Sequence, residues 1–263
     1  MADGVIPERQ PHRSKFLLAY FVLAAIVGVA VAVFLVFMQT DTVKTPAGGT
    51  GQGRPAAWNG FRPRGFMADQ VHEIATSISS TYHLPNGHQL VAVKASIPPS
   101  YQNALIITDY AVSVSSGGGS SYDVIPAANS VTYELCGLGR QCSIESGAPS
   151  IARSRLLRRE ALELALYTFH FEPSIQTVVT YMPPAPGDKA SYVLLFLRSQ
   201  LAGELARPIT ATLPERKPPL PNAMSATEQN TVDGLTAPDL YRFSFTRGQD
   251  GGVWLVFNPP TGS

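Results

Sequence analysis

Residues 151–169, IARSRLLRREALELALYTF, set leucines and alanines at spacings of three and four among a dense run of charges. The spacing predicts a helix whose inner face carries Leu157, Ala161, Leu164, Ala165, Thr168 and Phe169, since 3.6 residues per turn returns these to one side. Arg155, Arg159 and Glu163 then fall outward at i, i+4 spacing, with Arg158 and Glu160 beside them. The basic run Arg153, Arg155, Arg158 and Arg159 could hold an anionic headgroup or a wall polymer. Glu160 and Glu163 are close enough to pair with it, so a solvated, salt-bridged outer face is the expectation.

Strands surround this helix. Ile175 to Met182 is ended by Pro183-Pro184, and Tyr192 to Leu197, YVLLFL, is apolar throughout and so expected at the centre of a sheet. Upstream, Met67, Val71, Ile74, Ala75, Ile78 and Tyr82 share one face of a helix predicted from Phe66 to His83, which Gly87 stops. Leu90 to Ile97 reads as a strand ended by Pro98-Pro99, followed by Ala104 to Val114, a Ser/Gly loop at 115–121, and short strands at Tyr122–Ile125 and Val131–Leu135. The order helix, strand, Pro-Pro, strand occurs at 66–114 and again at 151–197, with the proline pairs 85 residues apart. That recurrence suggests two related α-β-β halves.

Leu201 to Arg207 adds a helical turn or two. Residues 206–239 are Pro-rich with little apolar periodicity and read as a surface connection, partly polyproline II, containing Pro218-x-x-Pro221. Leu240–Phe245 and Val253–Asn258 flank the turn-rich Arg247-Gly-Gln-Asp-Gly-Gly252 and form a hairpin. The expected fold is α+β, with two helices on one face of a mostly antiparallel sheet spanning 66–258, and a short tail at 259–263.

Ahead of this domain stands Phe16–Met38, FLLAYFVLAAIVGVAVAVFLVFM, with no charge and no proline. As a helix it is about 35 Å long, enough to cross about 30 Å of hydrocarbon with some tilt. It is longer than the apolar core of a cleaved signal peptide and ends in Phe37-Met38-Gln39 where small residues would be needed, so an uncleaved signal anchor is predicted. Arg9, Arg13 and Lys15 precede it while Asp41 and a lone Lys44 follow, which places residues 1–15 in the cytoplasm and the rest outside. Ala24, Gly28 and Ala32 form a small-xxx-small row that would let a second such helix approach and makes a homo-oligomer possible. Residues 39–65, rich in Gly, Pro and Ala, read as a flexible stalk. Trp58 and Phe61 mark the start of ordered packing.

The tail through Lys15 holds three basic and two acidic residues, leaving 17 of each sign beyond it. A neutral outer domain points away from nucleic acid. Arg outnumbers Lys fifteen to five, a hint of a high-GC bacterial genome. Cys136 and Cys142, with Gly-Leu-Gly-Arg-Gln between them, lie on the predicted outer side and are expected to form a local disulfide. Too few matching ligands stand near them for a metal site.

No nucleophile elbow, P-loop or dinucleotide fingerprint is present in the sequence. Asp69, His72 and Glu73 share a helix face, but Thr76 stands where a zinc-protease motif needs its second His, and a solvated face is expected. His83, His88 and His170 stand near element ends, where imidazoles cap or pack. Neither a cofactor nor catalytic residues are predicted. The reading is a bacterial single-pass membrane protein whose extracytoplasmic domain binds another envelope or membrane protein without catalysis. Two alternatives are an anchored hydrolase gathering Asp69, His72 or Glu73 with Asp109 or Glu134, and a sensor or carrier holding a small ligand in an apolar cavity.

Overall fold

The computed structural model describes residues 61–98, 106–116, 119–189, 191–215, 217–248 and 251–260, all within one compact unit, Gly53–Ser263. Among the described residues no helix is long and apolar enough to cross a membrane. The predicted anchor at 16–38, with Ala24, Gly28 and Ala32, lies outside them.

The domain is α+β. Eight strands, β1 (Ala92–Ser96), β2 (Ile107–Ser116), β3 (Gly119–Pro126), β4 (Ser130–Cys136), β5 (Thr177–Tyr181), β6 (Tyr192–Leu197), β7 (Leu240–Arg247) and β8 (Val253–Asn258), form one sheet in the order β1-β4-β5-β6-β7-β8-β2-β3. Four helices accompany it: α1 (Met67–Ser79), α2 (Ile151–Phe171), α3 (Ala202–Leu205) and α4 (Ala226–Thr236). Pairing is antiparallel except at β4–β5 and β2–β8. The apolar β6 is interior as expected, and its alternate residues are buried on both faces of the sheet.

The two α-β-β halves do not correspond. β5 and β6 are neighbours, whereas β1 lies at one edge of the sheet and β2 next to the other. The similar order of elements reflects the use of proline pairs to end strands, and it does not extend to the pairing. The expected Ser/Gly loop at 115–121 is mostly strand as well, with β2 and β3 paired out to Ser116 and Gly119.

One face is covered by α1 and α2. Val71, Ile74, Ala75, Ile78 and Tyr82 enter the same core as Leu157, Ala161, Leu164, Ala165 and Phe169, together with Val131, Tyr133 and Leu135 of β4. The other face is concave. Tyr110 of β2 and Ser130 of β4 are separated by four strands, a lateral distance of about 24 Å in a flat sheet. Their hydroxyls nevertheless meet at 2.7 Å. The sheet is therefore rolled, and Tyr110, Val179, Val193, Leu195, Leu255 and Phe257 fill the hollow.

The outer face predicted for α2 is also buried. Arg159 and Glu160 are at most 1% exposed and Glu163 is 8% exposed. The i, i+4 pair Arg159–Glu163 forms at 3.0 Å, but beneath a cover supplied by residues 206–239. That segment is not a surface connection: Ile209, Leu213, Met224 and Val232 are buried, and α4 packs along α2. Ser225 caps α4 by accepting from the Glu228 amide at 3.3 Å, the first half of a Ser-x-x-Glu start signal that the proline content had masked. Arg159 donates to Glu228 at 2.6 Å, to the Glu215 carbonyl at 2.7 Å and to the Tyr82 hydroxyl. Arg155 and Arg158 both pair with Asp233, whose carboxyl they hold below its ordinary pKa. From Leu156 onward α2 is thus enclosed on its polar as well as its apolar side, the polar stripe by a second polar helix.

Phe61 ends the predicted stalk. Its ring packs edge-on against Tyr167 and Phe171 near the C-terminal end of α2, and Arg62 lies over Phe171.

Replacing Arg159 with Met should cost about 3–5 kcal/mol, because Glu163 and Glu228 would remain buried without their cation. Chemical denaturation measures it, and restoring most of the loss with Glu163→Gln and Glu228→Gln in the same chain tests the cause. A single-variant loss below about 1 kcal/mol would contradict the clamp. Burial pushes the Asp239 carboxyl from 3.8 up to about 6. With the folded value raised, its contribution is most favourable below pH 4 and declines as pH rises to about 6. Asp239→Asn should therefore gain up to about 2 kcal/mol at pH 7.5 and nothing at pH 4, read from paired denaturation curves.

Candidate functional site

A groove of about 470 Å³ opens at the N-terminal end of α2. Its first wall is the helix itself, through Ser150, Arg153, Ser154, Leu157 and Arg158. Ser150 is the N-cap, accepting from the Arg153 amide at 3.2 Å. The opposite wall is Met182–Pro186. The Met182 amide makes the last bond to β6, donating to the Tyr192 carbonyl at 3.0 Å, and Pro183 and Pro184 then have no N–H to continue the ladder. The prolines that end β5 therefore create a rigid wall rich in acceptors and poor in donors. Tyr192 and Leu240, from the starts of the paired strands β6 and β7, extend the lining, and Pro260 adds to it beyond β8.

The remaining side comes from the chain after the disulfide, at Ile144 and Pro149. Cys136 and Cys142 are joined, with Cα atoms 4.3 Å apart. The Gly137 amide donates to the Cys142 carbonyl and the Gly139 amide to the Ser143 carbonyl, both at 2.8 Å. A Cβ at Gly137 would lie 2.2 Å from the Ser143 carbonyl oxygen, so this close backbone approach requires glycine. Gln141 and Cys142 both have positive φ, 54° and 60°, a conformation that side-chain-bearing residues seldom adopt. The crosslink holds the turn shut and delivers Ile144 to the groove.

Among the described residues the lining carries two arginines and no carboxylate. Arg158 spends its charge on Asp233 and also donates to the Thr236 hydroxyl at 2.8 Å. Arg153 has no ion-pair partner among the described residues, and its Nε is out of water with no hydrogen bond. Its guanidinium lies against Gly147, where a Cβ would come within 2.2 Å of a terminal nitrogen. Two large apolar residues of this region are unusually open: Ile151, which begins α2, at 76% exposure, and Tyr192 at 44%.

The residues considered for chemistry do not converge. Asp69 accepts from the Phe66 amide at 3.2 Å and Glu73 from the Arg64 amide at 2.9 Å, so both stabilise the entry to α1, while His72 is exposed. Glu134, alternating with buried Tyr133 and Leu135, points to the opposite face of the sheet from α1, and Asp109, next to the inward Tyr110 on β2, points away from the hollow that Tyr110 enters. His83 bonds the Thr81 carbonyl, His88 pairs with Glu145 at 2.9 Å, and His170 packs edge-on against Phe171. Among the described residues no group of three His, Cys, Asp or Glu could hold a metal. The groove left no plain trace in the sequence; its one signal was the coincidence of Pro183-Pro184 with the Arg-rich start of α2.

Replacing both cysteines with serine should lower stability by about 2 kcal/mol, the effect of opening so short a loop. Denaturation with and without reductant measures it: the reductant should shift the wild type toward the double variant and leave the variant unmoved. No protein-family model matches the chain, and neither a curated protein nor a solved structure matches it.

Proposed function

We propose that the chain is a bacterial single-pass membrane protein, anchored by Phe16–Met38 with its N-terminus in the cytoplasm, whose folded domain stands on the outer side and binds another envelope protein without catalysis. The observation that carries the binding reading is the groove at the start of α2, apolar, prolines along one side, with Ile151 and Tyr192 open to solvent beside it. The Cys136–Cys142 disulfide supports an oxidising compartment. The dispersal of Asp69, His72 and Glu73 away from Glu134 and Asp109 removes the support that a shared cleft would have given a hydrolase. A small-ligand carrier is the second reading, favoured by the same apolar lining.

A photoreactive amino acid placed at Tyr192 in the full-length protein tests this in intact cells. One protein adduct is expected, and Ser154→Trp, an exposed lining position where the indole would fill the groove, should abolish it. Adducts that persist in the Ser154→Trp background would place recognition elsewhere on the domain. Protease added to cells with a permeable outer layer should degrade the domain. Protection of the domain, or a mature chain beginning after residue 38, would overturn the anchored topology.

A further inference from the structure

We infer that the occupant of the groove is an extended segment of the partner protein that combines apolar side chains with a carboxylate, and that Arg153 receives the carboxylate. The inference rests on the reading of the groove as a protein-binding surface and adds the chemistry of what it binds.

Three features select that chemistry. Leu157, Met182, Tyr192 and Leu240 contribute apolar surface, which calls for apolar side chains. The Pro183-Pro184 wall presents carbonyl acceptors with no N–H of its own. A peptide backbone supplies donors for such carbonyls; an aliphatic chain has none to give. The third feature is charge. Arg158 is already neutralised by Asp233, whereas among the described residues Arg153 is unpaired and no carboxylate lines the groove. A buried guanidinium nitrogen without an acceptor carries a desolvation cost that an incoming carboxylate would relieve. A cationic partner would meet Arg153 and Arg158 with no acid to receive it.

Arg153 is held for this task by its neighbours and does not hold the fold. Its backbone is fixed by the Ser150 cap and its guanidinium rests on Gly147, where any side chain would displace it. Its removal therefore leaves the Arg155, Arg158 and Arg159 clamps on α4 intact.

Fluorescence anisotropy tests the inference with the full chain in nanodiscs and three labelled, capped pentapeptides: Leu-Glu-Leu-Glu-Leu, Leu-Gln-Leu-Gln-Leu and Leu-Lys-Leu-Lys-Leu. The glutamate peptide should bind about tenfold more tightly than the glutamine peptide, and the lysine peptide most weakly. Arg153→Gln should remove the glutamate advantage, leave the glutamine peptide unchanged and leave the melting temperature unmoved. Equal affinities for all three peptides, each abolished by Ser154→Trp, would overturn the charge preference and leave the groove as a protein-binding surface. Arg153-dependent binding of decanoate with no binding of any peptide would overturn both and favour the small-ligand carrier.

Discussion

The fold depends on where one guanidinium is placed. Arg159 lies in the core, and its acceptors come from three separate stretches of chain: Tyr82 after α1, Glu215 in the segment following α3, and Glu228 in α4, besides Glu163 on its own helix. Burial penalises the charge on Arg159, yet Tyr82, Glu163 and Glu228 outweigh that penalty and keep it protonated. Burial acts on the acids in the opposite sense and raises the pKa values of Glu160 and Glu163. Such a cluster contributes less to net stability than to the choice of arrangement: neither oxygen of Glu160 and only one of Glu228 finds a partner, so the ion pairs fix the packing without satisfying every member. Here it selects the single path by which residues 206–239 return across α2.

That path also explains what the sequence concealed. Helical periodicity identified which residues of α1 face inward, and Val71, Ile74, Ala75 and Ile78 are all buried; the helix ends at Ser79, short of the expected His83, and Tyr82 is buried beyond it. The same reasoning placed Arg155, Arg159 and Glu163 in solvent, because charges at helical spacing look alike whether they meet water or a second polar helix. Arg159 belongs to the rarer case. The distinguishing clue lay about 65 residues away, where Ser225 and Glu228 open a helix inside a stretch that its prolines had marked as irregular. Pattern within one element cannot show which distant element completes it.

The sheet teaches a similar lesson. The proline pair after β5 and the unbroken apolar run of β6 marked both as strands and placed β6 in the interior, where Val193 and Leu195 bury on one face while Leu194 and Phe196 bury on the other. Neighbour choice was not legible. Nothing in the period of two distinguishes a β4 that pairs in parallel with β5 from one that pairs with β3, the strand just before it in the chain. The roll of the sheet, visible in the contact between Tyr110 and Ser130, arises from twist accumulated over the intervening strands and belongs to no local motif.

Phe61 meets the domain near the C-terminal end of α2, and the groove opens at the other end of the same 21-residue helix. The groove-lining turn around Arg153–Leu157 and the Phe61 contacts at Tyr167 and Phe171 are, at 1.5 Å per residue, about 21 Å apart. A pull between whatever occupies the groove and the chain preceding Phe61 would be carried along the helix axis. The backbone hydrogen bonds of α2 lie parallel to that load, while the arginine contacts to α4 would bear it in shear. The helix is thereby a strut as well as the middle of the core, and the buried ion cluster is the fastening that stops its layers from sliding.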